Sequence, residues 1–308
     1  MLHAPELIDT EEEDTPERQR VAQRTTWVSV AVNLVLTVLQ VVVGVLAHSQ
    51  ALIADGIHSL SDLVADFVVL LASRHSGKAP DDDHHYGHQR FETAASMVLG
   101  MLLLGVGLGM LWSAVGKLST PESIPDVKPI ALYVALFALL SKELLFRYML
   151  KAAERVRSSM LVANAWHARS DAASSLVVAL GILGNLMGYS LLDPVAALIV
   201  GLMVAKMGGE FTWNALSDLM DRSATQEQIE RIYTLLRETP DVDGVHDLRT
   251  RKMGDMIVVD AHIEVDGQLT VIQGHDIALN ARNRVMAALP VLDVMIHLDP
   301  TSHTDHTH

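Results

Sequence analysis

The sequence has no cysteine, and this absence removes two kinds of site at once. None of its 308 residues can form a disulfide or offer a thiolate to a metal. Any bound metal is therefore held by His, Asp or Glu. Basic residues are also scarce: the net charge of −14 argues against a nucleic-acid partner, because phosphates require a basic surface.

Charged residues are sparse in the middle of the chain, where long apolar runs take their place. Half of the residues are hydrophobic, and the mean hydropathy is +0.27, which is high for a soluble protein of this length. A bilayer core of ~30 Å requires roughly 20 apolar residues per helix. Six runs satisfy this requirement and predict six transmembrane helices, at 26–47, 51–73, 91–115, 129–150, 160–187 and 191–211.

Lys and Arg residues near the ends of these runs predict their orientation. Ten of them lie on one side of the membrane, and only Lys117 and Lys128 lie on the other. The side rich in positive charge is cytoplasmic, so both termini are expected there. The acidic start of the chain is unlike a signal or transit peptide, and the loops are short, which favours a bacterial inner membrane.

The last third of the chain has the pattern of a soluble domain. Thr225 to Gln228 form a capping box that opens a helix, and Gly254-Asp255 joins two strands in a hairpin. A helix over 271–289 and a strand over 291–298 complete an αββαβ order, typical of a ferredoxin-like α+β domain. We therefore predict an acidic segment at 1–24, a membrane domain at 25–212, a cytoplasmic domain at 213–300 and a His-rich tail at 301–308.

Two of the apolar runs contain the same polar pattern, a His followed four residues later by an Asp. The pairs are His58 with Asp62 and His167 with Asp171. Residues i and i+4 share one helix face, and Asp55, three residues before His58, shares it too. At ~1.5 Å per residue, both pairs lie ~10–17 Å from a membrane surface, near the bilayer centre.

Two nitrogen and two oxygen ligands around one point favour Zn²⁺, with Co²⁺ and Cd²⁺ as alternatives. Either pair alone is explained equally well by a hydrogen bond between helices. Two pairs at one depth are harder to explain, because each intramembrane charge costs at least ~2.5–3.5 kcal/mol. Asp55 is a candidate to support the ligands by hydrogen bonding. Arg169 lies on another face of its helix and is expected to form an ion pair.

Two further groups of potential ligands lie outside the apolar runs. The loop from Pro80 to His88 is dense in Asp and His, although loops of this kind also occur as solvated surface. The C-terminal domain places several His residues on or beside its strands. Any one of them is more often a surface residue than a ligand. No organic cofactor is expected.

These features resemble the cation diffusion facilitator family, and the resemblance covers nearly the whole chain. The specific matches are the two His–Asp pairs, the loop from Asp81 to His88, the stretch from Val245 to Arg251, and His297-Leu298-Asp299-Pro300. The resemblance implies a homodimeric antiporter, not an enzyme, that exchanges divalent metal ions for protons. In the zinc and iron branch of the family the second-helix pair is often Asp and Asp. His58 in the first of these positions favours zinc over ferrous iron.

The resemblance also implies roles for individual residues. The transport site would consist of His58, Asp62, His167 and Asp171. Asp81, His84 and His88 would form a metal site in the cytoplasmic loop. A two-metal site in the C-terminal domain would use His246, His262, His275, His297 and Asp299, with Asp299 able to bridge. Arg90 and Asp221 would form a charge interlock between subunits.

Several other functions remain to be weighed against metal export. A transporter of organic ions would have Gly or Pro breaks near the midplane. An intramembrane metalloprotease would require a His-Glu-x-x-His motif, which this sequence does not contain. A membrane-bound sensor that binds zinc without moving it would use the same ligands, and the sequence leaves that alternative open.

Overall fold

Six long helices precede a small α/β unit in the computed structural model, which describes residues 16–76, 78, 80–120, 126–155 and 159–301. The helices are α1 (Pro16–Ala47), α2 (Gln50–Ser76), α3 (Arg90–Ser119), α4 (Ile130–Arg155), α5 (Ser159–Leu186) and α6 (Leu192–Leu219). They confirm the six helices predicted from the apolar runs. The start of the acidic segment, up to residue 15, and the tail from 302 onward lie outside the described residues.

Some of these helices continue past the apolar runs. Helix α1 begins at Pro16, a residue suited to the first helical position, and α6 continues to Leu219 before Asp221 turns the chain with a φ of 60°. Among the described residues, three helical spans are long and apolar enough to cross a membrane by length and composition alone: Gln23–Ala47, Arg90–Ser119 and Leu192–Leu219. Helices α2, α4 and α5 carry the charged residues that form the site described below.

The chain divides into two compact units, Met1–Ala65 with Leu103–Lys206, and Asp66–Leu102 with Met207–His308. In the first unit, α4 packs against α5 and α1. Small residues allow close approach between helices. At Gly181 a Cβ atom would collide with the Ala196 side chain and the Leu192 carbonyl, so α5 and α6 lie in direct backbone contact.

The start of α2 is fixed by a carboxylate from α6. Asp193 accepts hydrogen bonds from the Ser49 hydroxyl at 2.5 Å and from the backbone amide of Gln50 at 2.8 Å. The amide of Ala51 donates to the same carboxylate at 3.4 Å. These are the backbone donors that a helix leaves without an internal partner, so Asp193 caps α2 and fixes its register.

The second unit contains the predicted α/β domain. Its elements are α7 (Gln226–Arg237), β1 (Gly244–Met253), β2 (Met256–Val265), α8 (Val271–Ala288) and β3 (Val291–Pro300). The sheet order is β1-β2-β3, with β1 antiparallel and β3 parallel to the central β2. A capping box at Thr225 and Gln228 starts α7 as predicted, and a second one at Thr270 and Gln273 starts α8. Both helices contribute to a core with the sheet.

Candidate metal sites

Helices α2 and α5 bring three of the four predicted transport ligands together. The His58 Nδ1 atom lies 3.7 Å from an Asp62 oxygen, and its Nε2 atom lies 4.0 Å from an Asp171 oxygen. One ligand atom from each of the three residues lies within 4.8 Å of the others. His58 is only 6% exposed, so the group is shielded from solvent. His167 lies on α5 one turn before Asp171, but its side chain is outside the described part of the structure.

Asp55 lies in a separate polar network beside this group. Its carboxylate accepts hydrogen bonds from Gln40 Nε2 at 2.5 Å and from the Ser175 hydroxyl at 2.7 Å. The Ser174 hydroxyl oxygen lies 3.2 Å from the same carboxylate, and the Lys142 ammonium lies 3.4 Å away. Both partners of this ion pair are almost completely buried, Asp55 at 0% and Lys142 at 2% exposure. Asp55 is therefore occupied by protein donors.

Lys142 and Gln40 were missed by reasoning from the sequence. Lys142 belongs to the buried stripe of α4, together with Ala138 and Phe146 at helical spacing. This position in the sequence could have indicated an ion pair, because a Lys inside a buried helical stripe needs an anionic partner. Arg169 corrects a different expectation. Its guanidinium lies 4.9 Å from the Phe146 ring centre and 5.0 Å from that of Trp166, which is a cation–π arrangement. The described part of the chain contains no ion pair of Arg169.

The predicted loop ligands also lie together. His84 Nδ1 and His88 Nε2 each lie 3.2 Å from Asp81, one at each carboxylate oxygen. Gly87 makes the tight turn between the two histidines, with a φ of 79° and an amide that donates to the His84 carbonyl. His88 is buried and stacks on Phe91 in the first turn of α3, so that helix fixes one end of the group.

The geometry of the loop also affects the charge of Asp81. Desolvation opposes ionisation of its carboxyl, but donors from the same turn outweigh it. The backbone amides of His84 and Asp83 donate at 2.7 and 3.1 Å, and the His84 ring lies beside the same oxygen. Together they lower the pKa of Asp81 below its usual value. The carboxylate is thus ionised, the form that binds a cation.

The C-terminal ligands lie in a row across the sheet. His246 on β1 is opposite His262 on β2, and His262 is in turn opposite His297 on β3. Two positions further along β3, Asp299 has the same orientation as His297, since side chains alternate along a strand. The row follows from strand register, which brings together residues far apart in sequence.

Asp299 is the centre of this row. One of its oxygens lies 2.9 Å from His262 Nδ1 and 3.3 Å from His246 Nε2. The other oxygen lies 3.3 Å from His297 Nε2. The two oxygens thus face different histidines, which is the arrangement that a carboxylate bridging two cations requires.

Glu264 adds an acid that the sequence did not single out. It lies opposite Asp299 in the strand register, and its Oε1 atom is 3.8 Å from His246 Nε2. A residue with a Cβ atom at Gly244 would collide with this carboxylate. His275, in contrast, is exposed on α8 and is not among the described residues whose ligand atoms lie within 4.8 Å of one another.

The ligand atoms within each group lie within 4.8 Å of one another, which is close enough to share one metal ion. Zn–N and Zn–O bonds of ~2.0–2.1 Å separate neighbouring tetrahedral ligand atoms by ~3.3 Å. Nitrogen–oxygen distances at Asp81 are 3.2 Å, and those at Asp299 are 2.9–3.3 Å, which is also the range of hydrogen bonds between His and Asp without a metal. Around His58 the two carboxylates face different ring nitrogens, Asp62 at 3.7 Å from Nδ1 and Asp171 at 4.0 Å from Nε2. One ion would use one of these nitrogens, so the side chains would have to shift to bring both carboxylates to it.

Arg90 and Asp221 form an ion pair within one chain. Arg90 Nη2 donates to the Asp221 carboxylate at 2.5 Å, and both side chains are about half exposed, at 43% and 56%. The pair joins the first residue of α3 to the turn after α6. The role between subunits that the resemblance implies stays a prediction.

Two family models together match almost all of the chain after residue 25. The model of the cation efflux transmembrane domain matches residues 26–220, and that of the cation efflux protein cytoplasmic domain matches residues 224–301. Metal tolerance protein C1 of Arabidopsis thaliana is 35% identical over 280 residues, which cover 86% of this chain and 59% of that protein.

A second relative matches over most of both chains. The manganese efflux system protein MneP of Bacillus subtilis (strain 168) is 32% identical over 292 residues, which cover 92% of this chain and 98% of MneP. Among solved structures, the metal-bound C-terminal domain of the CzcD transporter from Thermotoga maritima is 26% identical. That alignment covers 26% of this chain and 93% of the other, with a TM-score of 0.25.

Proposed function

Because this chain belongs to the cation diffusion facilitator family of divalent metal efflux transporters, we propose that it exports zinc from the cytoplasm in exchange for protons. Members of this family are integral membrane transporters and not enzymes. The observation that carries the proposal is the convergence of His58, Asp62 and Asp171 from two helices. His167 completes the set by its position one turn before Asp171.

Zinc is proposed as the substrate because the site combines nitrogen and oxygen ligands. Imidazole suits Zn²⁺, whereas an all-oxygen site favours harder ions such as Mn²⁺. Manganese is the second candidate, since MneP is named for manganese efflux and is similar over 92% of this chain. His58 is the residue on which the choice between the two metals depends.

Proton exchange follows from the chemistry of the ligands. Imidazole must be neutral and carboxylate ionised to bind a metal, so protons and metal compete for the same atoms. An inward proton gradient would then protonate the site from outside and release the ion there. The proposed setting is a bacterial inner membrane, with both termini cytoplasmic.

The cytoplasmic clusters are proposed to bind regulatory zinc in a homodimer. The ligands at Asp81 and Asp299 belong to the second unit, and those of the transport site belong to the first. Zinc bound there would favour one arrangement of two C-terminal domains over another. It would also offset repulsion between two acidic chains, each with a net charge of −14.

The test is uptake of Zn²⁺ into proteoliposomes under a pH gradient, repeated with Cd²⁺, Co²⁺, Fe²⁺ and Mn²⁺. We expect zinc uptake that stops when the gradient is collapsed. Asp62→Asn should abolish it, because the carboxylate is lost while the shape is kept. Asp126→Asn is the matched control, since Asp126 is an exposed acid outside all three clusters. Zinc binding without uptake by the wild-type protein would instead support the sensor alternative.

A further inference from the structure

We propose that Lys142, through its ion pair with Asp55, sets the charge of the transport site to the value that one divalent ion cancels. This proposal rests on the proposed function of His58, Asp62 and Asp171 as metal ligands. Lys142 would act through Asp55 and not as a ligand, because an ammonium group cannot bind a metal ion.

The ion pair directly adjoins the ligands. Asp55 lies one helical turn before His58 on α2. Lys142 Nζ donates to the Ser175 hydroxyl at 2.8 Å and lies 3.5 Å from the backbone carbonyl of Asp171. The Ser174 hydroxyl links both groups, since it lies within hydrogen-bond distance of the same carbonyl, at 2.7 Å, and of Asp55, at 3.2 Å.

Counting formal charges shows what the pair does. Among the ligand side chains that the structure describes, Asp62 and Asp171 each carry one negative charge and a neutral His58 adds none, so one dication balances them. Asp55 would add a third negative charge to the same buried region. Lys142 removes it, and both groups are too buried for solvent to do so. The site thus matches the charge of one Zn²⁺.

The alternative is that Lys142 only packs α4 against α5. Packing and charge matching predict different results when the pair is dismantled. Asp55→Asn leaves the ammonium unbalanced and repels zinc. Lys142→Met keeps the length of the side chain, leaves the carboxylate unbalanced and attracts zinc. Loss of packing would weaken zinc binding in both variants.

The experiment measures zinc affinity and zinc uptake by full-length protein carrying Asp81→Ala and His246→Ala, which take one ligand from each of the other clusters. We expect Asp55→Asn to weaken zinc binding at least about tenfold, because an unbalanced unit charge acts strongly on a dication in a low-dielectric interior. For the same reason Lys142→Met should tighten zinc binding by about the same factor and slow zinc release during uptake. The variant with both changes should return to within about threefold of the parent in both measurements. Lys151→Met, on the exposed face of α4, is the matched control and should have no effect.

Shifts of the two single variants in the same direction would overturn the proposal, as would unchanged affinity in Lys142→Met. If either single variant fails to fold, the double variant decides, because it buries no unbalanced charge. A double variant that neither folds nor transports also refutes charge matching. Asp62→Asn in the same assays distinguishes failure of the charge-matching proposal from failure of the proposed transport site. If it binds and transports zinc normally, the proposed transport site is itself wrong.

Discussion

Replacing Asp299 with Asn should abolish zinc-dependent stabilisation of the cytoplasmic domain while changing its metal-free stability little. Asp299 touches three histidines, so its carboxylate is shared by the whole group. An amide of the same shape loses the negative charge and turns an N–H group toward imidazole nitrogens. The effect on metal binding should therefore exceed the effect on packing.

The magnitude can be worked out for the fragment 224–301, whose core consists of residues from that segment. Zinc at 100 times its Kd adds about 2.7 kcal/mol to the free energy of unfolding. In a domain of this size each kcal/mol raises Tm by roughly 4–8 °C, so zinc should raise Tm by roughly 11–22 °C. Without metal, Asp299 is 29% exposed, and losing its half-solvated contacts should cost about 1 kcal/mol or less.

The assay is thermal unfolding of the fragment by circular dichroism, with EDTA and with a series of zinc concentrations. We expect Asp299→Asn to keep less than about a third of the zinc-dependent rise in Tm. Asp293→Asn is the matched control, because Asp293 is on the same strand and pairs with Arg282 at 2.8 Å away from the histidines. A wild-type zinc response in Asp299→Asn would refute the assignment of Asp299 as the shared ligand.

Three further predictions concern the other sites. His58→Asp should broaden transport toward Mn²⁺ and Fe²⁺, and an unchanged zinc-to-manganese ratio in proteoliposomes would exclude His58 as a selectivity ligand. Zinc affinity of the transport site should fall as pH drops below about 6.5, the reference pKa of His, and a pH-independent affinity would contradict proton competition. The pKa of Asp81 is lower in the folded protein than its value of 3.8 in the unfolded chain. The stability contributed by its hydrogen bonds is therefore fully present above pH 3.8, and it is lost as the pH falls through the pKa of the folded protein. Hydrogen exchange of the His84 backbone amide should speed up as this stability is lost, because that amide donates to Asp81. In Asp81→Asn the amide should exchange fast at every pH.

The six helices could be predicted from the lengths of the apolar runs, although charged residues lower the hydropathy of α2, α4 and α5. The pairing of α2 with α5 could be inferred from the repeated His–Asp spacing. The partners of Asp55 could not, because three other helices supply them: Gln40 from α1, Lys142 from α4, and Ser174 and Ser175 from α5. A single sequence does not state which helices are neighbours.

In the cytoplasmic domain, too, the elements could be predicted from the sequence but their alignment could not. Its strands were predicted from turn residues and alternation, but the sequence did not fix how they align. The register places Glu264 beside Asp299 and leaves His275 on the exposed side of α8. A bulge between His246 and Arg249, where Asp247 has a φ of 46°, also changes the course of β1 beside the site. No local sequence pattern predicted this bulge.

The row of histidines across the sheet has a consequence for how the domain opens. Strands β1 and β3 are both edges of a three-stranded sheet, and edges are where such a small sheet frays most readily. An ion held by His246 and Asp299 would fasten one edge to the other across β2. Neither edge could then peel away without releasing the metal. Zinc occupancy would thereby turn local fraying into a single cooperative opening, and the amides of both edge strands would exchange at one common, slower rate.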